Sequence, residues 1–412
     1  MELMLNLQGT SSVLIQRLTR LILQNRSFIV AWLALFVSMA GVAMVSPLLA
    51  VFAEEAGASG IWLGLAFSGF ALSQVPLMPV VGRMSDRFGK KNFIWLGLLV
   101  YAVSAVGLLF SPNYKILVLF RILTGVGTAM VIPTSYAYVG ELAPRGHEGR
   151  YMGLFNIAMI AGFGIGPMLG GIIHDKLSMD ATFAGMGILS AVGFLIALVF
   201  LPGKGVASAE KKQQVQSTPF SVMIKDNVIR AITSVQFVLG VSYGAMLTFL
   251  GIFMTARLDT TLALVGIVMS IRSLQNGLLS YPFGWLADRA NRIVLVSIGV
   301  MAVAAGMFAI SWVGSLILLI VVFVIMGTFE SMTTPSLNAI TVGRGRVHSM
   351  GSVMGVVNTA SSVGIIIGSL AGGVIEGSFG VAWVFRFAAA AAVVGVIFFN
   401  FFMNRSAAQP QK

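Results

Sequence analysis

From Ser27 onward the chain returns again and again to runs of about 20 residues that carry almost no charge. The runs are centred near Ser38, Phe70, Val103, Gly127, Ala161, Ala191, Gly240, Ser273, Ala302, Phe323, Ser361 and Val393. A helix needs about 20 mostly apolar residues to cross the hydrocarbon core of a bilayer. None of the runs alternates apolar and polar residues with the period of two that membrane barrel strands require. The runs therefore predict twelve membrane-spanning helices. Composition agrees: 57% of the 412 residues are hydrophobic and 10% are charged, whereas a soluble domain carries about a quarter charged residues.

The stretch "AGFGIGPMLGGII", residues 161–173, makes sense only in that setting. In water each helical glycine costs roughly 1 kcal/mol and a proline about 3 relative to alanine. In a bilayer, small residues instead let helix backbones approach closely. The "GFGIG" within it superficially matches a nucleotide fingerprint, but that needs a preceding strand in a soluble βαβ unit.

The basic residues predict orientation. With the N-terminus inside, outside loops hold only Lys115, Lys176 and Arg257, and Arg121, Arg272 and Arg386 lie within spans. The rest of the 26 basic residues fall on inside segments, as the positive-inside rule demands. Both termini are thus expected to face the cytoplasm, in a multi-pass protein of the plasma membrane. The net charge of +12 follows from this distribution and from attraction to anionic lipid, and calls for no nucleic-acid partner. Residues 1–26, with "SSVLIQRLTRLILQ" carrying Arg17 and Arg20, are expected to form a cytoplasmic segment lying along the membrane surface, not a signal peptide. The chain has no cysteine, which excludes disulfide and thiol chemistry.

The chain also repeats itself. Adding 202 to a position carries Gly82 to Gly284, Asp86 to Asp288, Arg87 to Arg289, Gly125 to Gly327, Pro133 to Pro335 and Asn156 to Asn358. The register continues from Gly162 to Gly364, Gly166 to Gly368, and Gly170 and Gly171 to Gly372 and Gly373. The offset spans an even number of helices, so both halves enter the membrane in the same sense, as a parallel repeat about the membrane normal. The expected organisation is a six-helix bundle over 27–201, a cytoplasmic linker over 202–226 containing "SAEKKQQVQS", a second bundle over 227–404 and a tail over 405–412.

The loop after the second span reads "GRMSDRFGKKNFI", the fourth span contains "RILTGVGTA", and the fifth carries Gly162-x-x-x-Gly166-Pro167-x-x-Gly170-Gly171. Over roughly residues 27–404 the chain resembles the major facilitator superfamily and, within it, the twelve-span drug/proton antiporters. The loop resembles that superfamily's Gly-x-Leu-x-Asp-Arg-x-Gly-Arg/Lys-Arg/Lys signature with Met84 at the leucine position. The fourth-span motif has Thr124 where the pattern has glutamine. The second half is degenerate, with Asn291 at the position of Gly89 and Ser369 at that of Pro167. The resemblance implies an all-α fold of two pseudo-symmetric six-helix bundles that rock about a shared cavity lined by spans one, four, seven and ten. It also implies a gate near the inner loops, built from Gly82, Asp86, Arg87, Gly89, Lys90 and Glu141, with Asp288 and Arg289 in the second half. A carboxylate there meets the positive end of a helix dipole, an interaction typically worth about 0.3 to 1 kcal/mol; the alternative is a tight turn with inside-positive charge. The glycines of span five are expected to pack against span eight or span two, with Pro167 kinking the helix, and family members are thought to use this stretch to prevent leak.

Charges inside spans each cost about 2.5 to 3.5 kcal/mol on insertion scales and mark cavities or pairs. Arg121, Arg272 and Glu330 are therefore candidates for proton coupling or substrate binding, with an ion pair or a backbone-carbonyl contact the alternative for Arg121. Glu330 stands where Thr128 stands in the first half and is the first candidate proton carrier; a permanent ion pair with Arg272 is the alternative. Arg386 is expected to snorkel or support packing. Span one contains no acidic residue before Glu54 and Glu55, so two arginines against one glutamate also describe a cavity for an organic anion. Polar cavity candidates are Gln74, Asn156, Gln236, Tyr243, Asn276, Asn338 and Asn358, each equally able to join helix to helix. Twenty-three methionines and 29 phenylalanines supply adaptable apolar surface. The histidines, His147, His174 and His348, have no metal-ligand spacing, and no nucleophile elbow or phosphate loop occurs. The expected protein is a monomer with no cofactor and no enzymatic activity. It is expected to export small amphipathic molecules in exchange for protons, the other readings being an organic-anion transporter or a receptor that kept the fold without turnover.

Overall fold

The computed structural model describes residues 26–143, 148–202, 223, 225–348 and 350–407. The predicted surface segment before Arg26, His147, most of the linker and the end of the tail lie outside the described residues. In hydrocarbon every backbone polar group must find a partner within the protein, which a helix supplies along its own length. Each predicted run accordingly forms a helix. Span 1 is Arg26–Val45 continued by Leu49–Glu55, and spans 2 to 6 are Ile61–Phe88, Lys90–Leu109, Tyr114–Leu142, Glu148–Lys176 and Met179–Phe200. Spans 7 to 12 are Asn227–Leu258, Leu262–Arg289, Arg292–Ile310, Leu316–His348, Met350–Phe379 and Val381–Ala407. All twelve are long and apolar enough to cross a membrane.

Their ends follow local chemistry. The side chains of Asn113, Ser178, Asp226 and Asn291 accept backbone N–H groups from the first turns of spans 4, 6, 7 and 9, which lack acceptors within the helix. Gly89 turns the chain between spans 2 and 3 at φ +93°, a conformation open to glycine at no steric cost. Its counterpart Asn291 sits at φ −68° as a helix cap, so the second loop needs no glycine.

Helix neighbours repeat with the sequence. Spans 1–5, 1–6, 2–4, 3–4 and 3–6 pack in the first half, and 7–11, 7–12, 8–10, 9–10 and 9–12 pack in the second. Hydrogen bonds repeat as well: Ser73 donates to the Ile122 carbonyl at 2.6 Å, and Gln275, 202 positions on, donates to that of Val324 at 2.8 Å. The halves meet along two seams, span 5 on span 8 and span 2 on span 11.

The seams are closed at one end of the molecule. A Cβ on Gly171 would lie 2.7 Å from Cα of Ala263, and one on Gly64 2.9 Å from Cα of Leu370. Span 2 is buried through Ala71 but beyond it only at Val81 and Ser85. Span 8 is buried through Arg272 and, among the described residues after it, only at Ala287. The halves therefore part toward the face that carries both ends of the span array, the terminal face, and are sealed at the opposite face.

The glycines of span 5 correct the expectation for that helix. Gly162 and Gly166 abut span 1 of their own half: an added Cβ would lie 2.8 Å from Cβ of Met39 and 2.6 Å from the Ala40 carbonyl oxygen, respectively. Gly170 meets Met44 on the same helix. Gly171 faces span 8, as does Gly164, whose nearest neighbour is Leu274. Span 2 meets span 11, not span 5. A small-residue stripe specifies close approach without naming the neighbour, and here most of it serves packing inside one half.

Candidate functional site

Between the halves lie two adjoining chambers of ≈ 320 and ≈ 230 Å³, whose shared walls include Met159, Phe163, Tyr243, Leu247, Met269 and Ser273. The first chamber reaches the one ion pair of the spans' interior among the described residues. Arg272 on span 8 donates through Nε at 3.1 Å and Nη2 at 2.5 Å to the same oxygen, Oε2, of Glu330 on span 10. Their side chains are 9% and 19% exposed. The guanidinium also contacts the Met246 sulfur and lies 5.9 Å from the Tyr243 ring centroid. The two side chains are in contact, and the pair lines a cavity.

The second chamber reaches Arg121 on span 4, which is 2% exposed. Its Nε donates to the Phe67 carbonyl at 3.3 Å and its Nη2 to the Ser46 hydroxyl at 3.0 Å, while Nη1 has no hydrogen-bond partner. The guanidinium lies 4.8 Å from the Phe70 ring centroid and 5.7 Å from that of Phe67. No carboxylate among the described residues forms an ion pair with it. In the repeat register Phe70 corresponds to Arg272 and Thr128 to Glu330, so the positions that carry charge in one half carry an aromatic ring and a hydroxyl in the other. Thr128 is used there to accept a hydrogen bond from Tyr101 at 3.1 Å.

Of the polar candidates, Gln74, Asn156, Tyr243 and Asn276 line these chambers. Asn156 is held by the Tyr136 hydroxyl, which donates to its side-chain oxygen. Gln236, Asn338 and Asn358 are not among the lining residues. Missing from the sequence reading were Ser46, Phe67 and Phe70, which cradle Arg121, and Tyr101 on the chamber wall; the register alone held a hint, through Phe70 opposite Arg272.

At the terminal face the expected cluster forms. Lys90 Nζ lies 2.9 Å from Asp86 and 2.7 Å from Glu141. All three stand on spans 2, 3 and 4, so in this open arrangement they brace the first half internally. The second half repeats the first of these pairs, Asp288 with Arg292 at 3.5 Å, and has Asp226 with Arg344 at 3.6 Å in addition. Arg87 lies over Phe88 and Arg289 over Trp285. Gly82 and Gly284 have open space where a Cβ would stand. Arg386 is clasped between Trp312 and Trp383, 4.9 and 4.5 Å from their ring centroids, which is a packing role.

Two like-oriented helical bundles around a central cavity with charges at its floor define a membrane transporter of small molecules. The chain belongs to the Major Facilitator Superfamily, whose family model matches residues 31–259 and 232–412. An uncharacterized MFS-type transporter of Methanocaldococcus jannaschii is 28% identical over 90% of this chain and 97% of its own length. The multi-drug resistance efflux pump PmrA homolog of Lactococcus lactis is 24% identical over 87% of this chain and 90% of its own. Among solved structures, the nucleoside transporter NupG superimposes with a TM-score of 0.75 at 14% identity, covering 90% of this chain and 99% of that one, a likeness of fold.

Proposed function

We propose that the protein is a monomeric secondary transporter that exports small amphipathic organic molecules in exchange for protons, by alternating access. The observation that carries this reading is the pairing of an adaptable wall of Met159, Phe163, Met246, Leu247 and Met269 with one ion pair, Arg272–Glu330, at the same cavity. Methionine and aromatic side chains repack around varied apolar ligands. A carboxylate that is partnered by arginine in one state and by a proton in another links substrate occupancy to proton movement. The terminal face is cytoplasmic in this reading, so the arrangement described is open inward. The efflux activity named for the Lactococcus relative lends it support. One proton crossing about 100 mV and one pH unit supplies roughly 2.3 plus 1.4 kcal/mol, enough for about 500-fold accumulation.

The test is dye transport in proteoliposomes under an imposed pH gradient. Glu330→Gln is expected to abolish gradient-driven transport while preserving dye counterflow; pH-driven transport at the parent's rate would overturn the coupling role. A second reading, transport of an organic anion, is favoured by Arg121, whose Nη1 has no acceptor at the second chamber. Counterflow confined to anions and lost in Arg121→Gln would establish that reading in place of the first.

A further inference from the structure

Spans 2 and 8 begin differently from their neighbours. Thr261 and Gly60, the residues at their N-cap positions, make no side-chain cap hydrogen bond, whereas spans 4, 6, 7 and 9 are capped by their own preceding residue. Carboxylates reach both helix starts from the opposite half. Asp175, in the last turn of span 5, accepts the Ala263 backbone N–H at 3.1 Å through Oδ2 and lies beside the Thr261 hydroxyl. The Glu376 carboxylate, in the last turn of span 11, lies beside the Gly60 backbone N–H, where Gly377 packs on Gly60.

The backbone contacts beneath the two carboxylates are mates in the internal repeat, while the carboxylates themselves stand one position out of register. Gly171 lies against Ala263 and Gly373 against Ile61, and each residue of the first pair is 202 positions from one in the second. These glycines bring the backbones close enough for the following carboxylate to reach across. Among the described residues neither carboxylate has a lysine or arginine partner. Asp175 lies 3.2 Å from His174 Nδ1, and Glu376 lies near Glu54, a like charge at the end of span 1. What offsets their charge is the free N–H groups and positive dipole end of the helix each one caps.

We propose that Asp175 and Glu376 are positioning residues of the transport cycle, paired carboxylate latches that hold the outer seams shut by capping, from one half, the first turns of spans 8 and 2 in the other. Opening the outer face must break both caps. The latches therefore bias the population toward the arrangement sealed at that face and set how often the cavity meets the outside. This inference rests on the alternating-access reading above.

The absence of cysteine allows a direct test with the full chain. Ser362, on the wall of the second chamber, becomes the reporter as Ser362→Cys in sided vesicles, labelled by a membrane-impermeant maleimide from either face. Removing both latches with Asp175→Ala and Glu376→Ala is expected to speed labelling from the outer face about five- to thirty-fold, the factor for a loss of one to two kcal/mol. Asp175→Asn with Glu376→Gln, which keeps shape and a neutral acceptor, is expected to fall between parent and alanine variant, and it is the deciding measurement if the alanine variant does not fold. An outer-face rate unchanged in the amide variant, with labelling from the terminal face intact, overturns the latch and leaves alternating access standing. A parent Ser362→Cys chain whose labelling from neither face responds to transported dye overturns the alternating-access reading itself.

Discussion

At the scale of single residues the chain concentrates its cost in Arg121, Arg272 and Glu330, and the structure handles the two arginines by different means. Arg272 is neutralised by a carboxylate; Arg121 is solvated by a carbonyl, a hydroxyl and two aromatic faces. Removing one member of a buried pair leaves an uncompensated charge and costs about 3 to 5 kcal/mol, less where water reaches it. Arg272→Gln and Glu330→Gln are each expected to lower the melting midpoint in detergent. The double variant is expected to recover most of that loss, because two amides can hydrogen-bond to each other, while remaining without pH-driven transport. A double variant that melts as low as the worse single variant would mean that the pair does not stabilise through charge. The Arg272–Glu330 pair was legible in the sequence because a charge inside a span needs a partner and few were on offer. For Arg121 a backbone-carbonyl contact was anticipated, but not which carbonyl, nor the rings of Phe67 and Phe70, because ring faces leave no mark in a one-dimensional pattern.

At the scale of helices, apolar length made every span legible, and the 202-residue register made the pairing of halves legible. The partners of a glycine stripe were not, since closeness is written in the sequence and direction is not. The contacts of Gly166 with span 1 now give that stripe a specific consequence. A Cβ there would stand 2.6 Å from a main-chain oxygen of Ala40, with 3.0 Å to the backbone nitrogen of Met44, and backbone cannot swing aside as a side chain can. Gly166→Ala is expected to destabilise by about 1 to 3 kcal/mol, the usual cost of overpacking a close contact. Gly153, on the same helix, has nothing within 4 Å of its added Cβ, so Gly153→Ala is expected to be neutral. Thermal melting of the two variants side by side decides: equal midpoints would mean that spans 1 and 5 are free to part.

At the scale of the whole molecule, the alternating-access reading requires the two halves to change their contact while each keeps its own. The contacts within halves repeat in register, and so do the seams between them, which makes rigid-body rocking about the cavity the motion that preserves most packing. Spans 5 and 8 offer a place to stop it. A Cβ built on Gly164 lies 3.8 Å from Cβ of Ser273, with only the flexible end of Leu274 closer; disulfides need a Cβ separation of about 3.5 to 4.5 Å. In a chain with no cysteine of its own, Gly164→Cys with Ser273→Cys is expected to form a bridge on mild oxidation and to hold spans 5 and 8 together beside the cavity. Transport in proteoliposomes should then fall at least about tenfold and return on reduction, while each single variant transports in either redox state. A bridge that forms fully yet leaves transport untouched would mean that substrate passes without this seam opening, and two halves rocking about a common cavity would no longer describe the cycle.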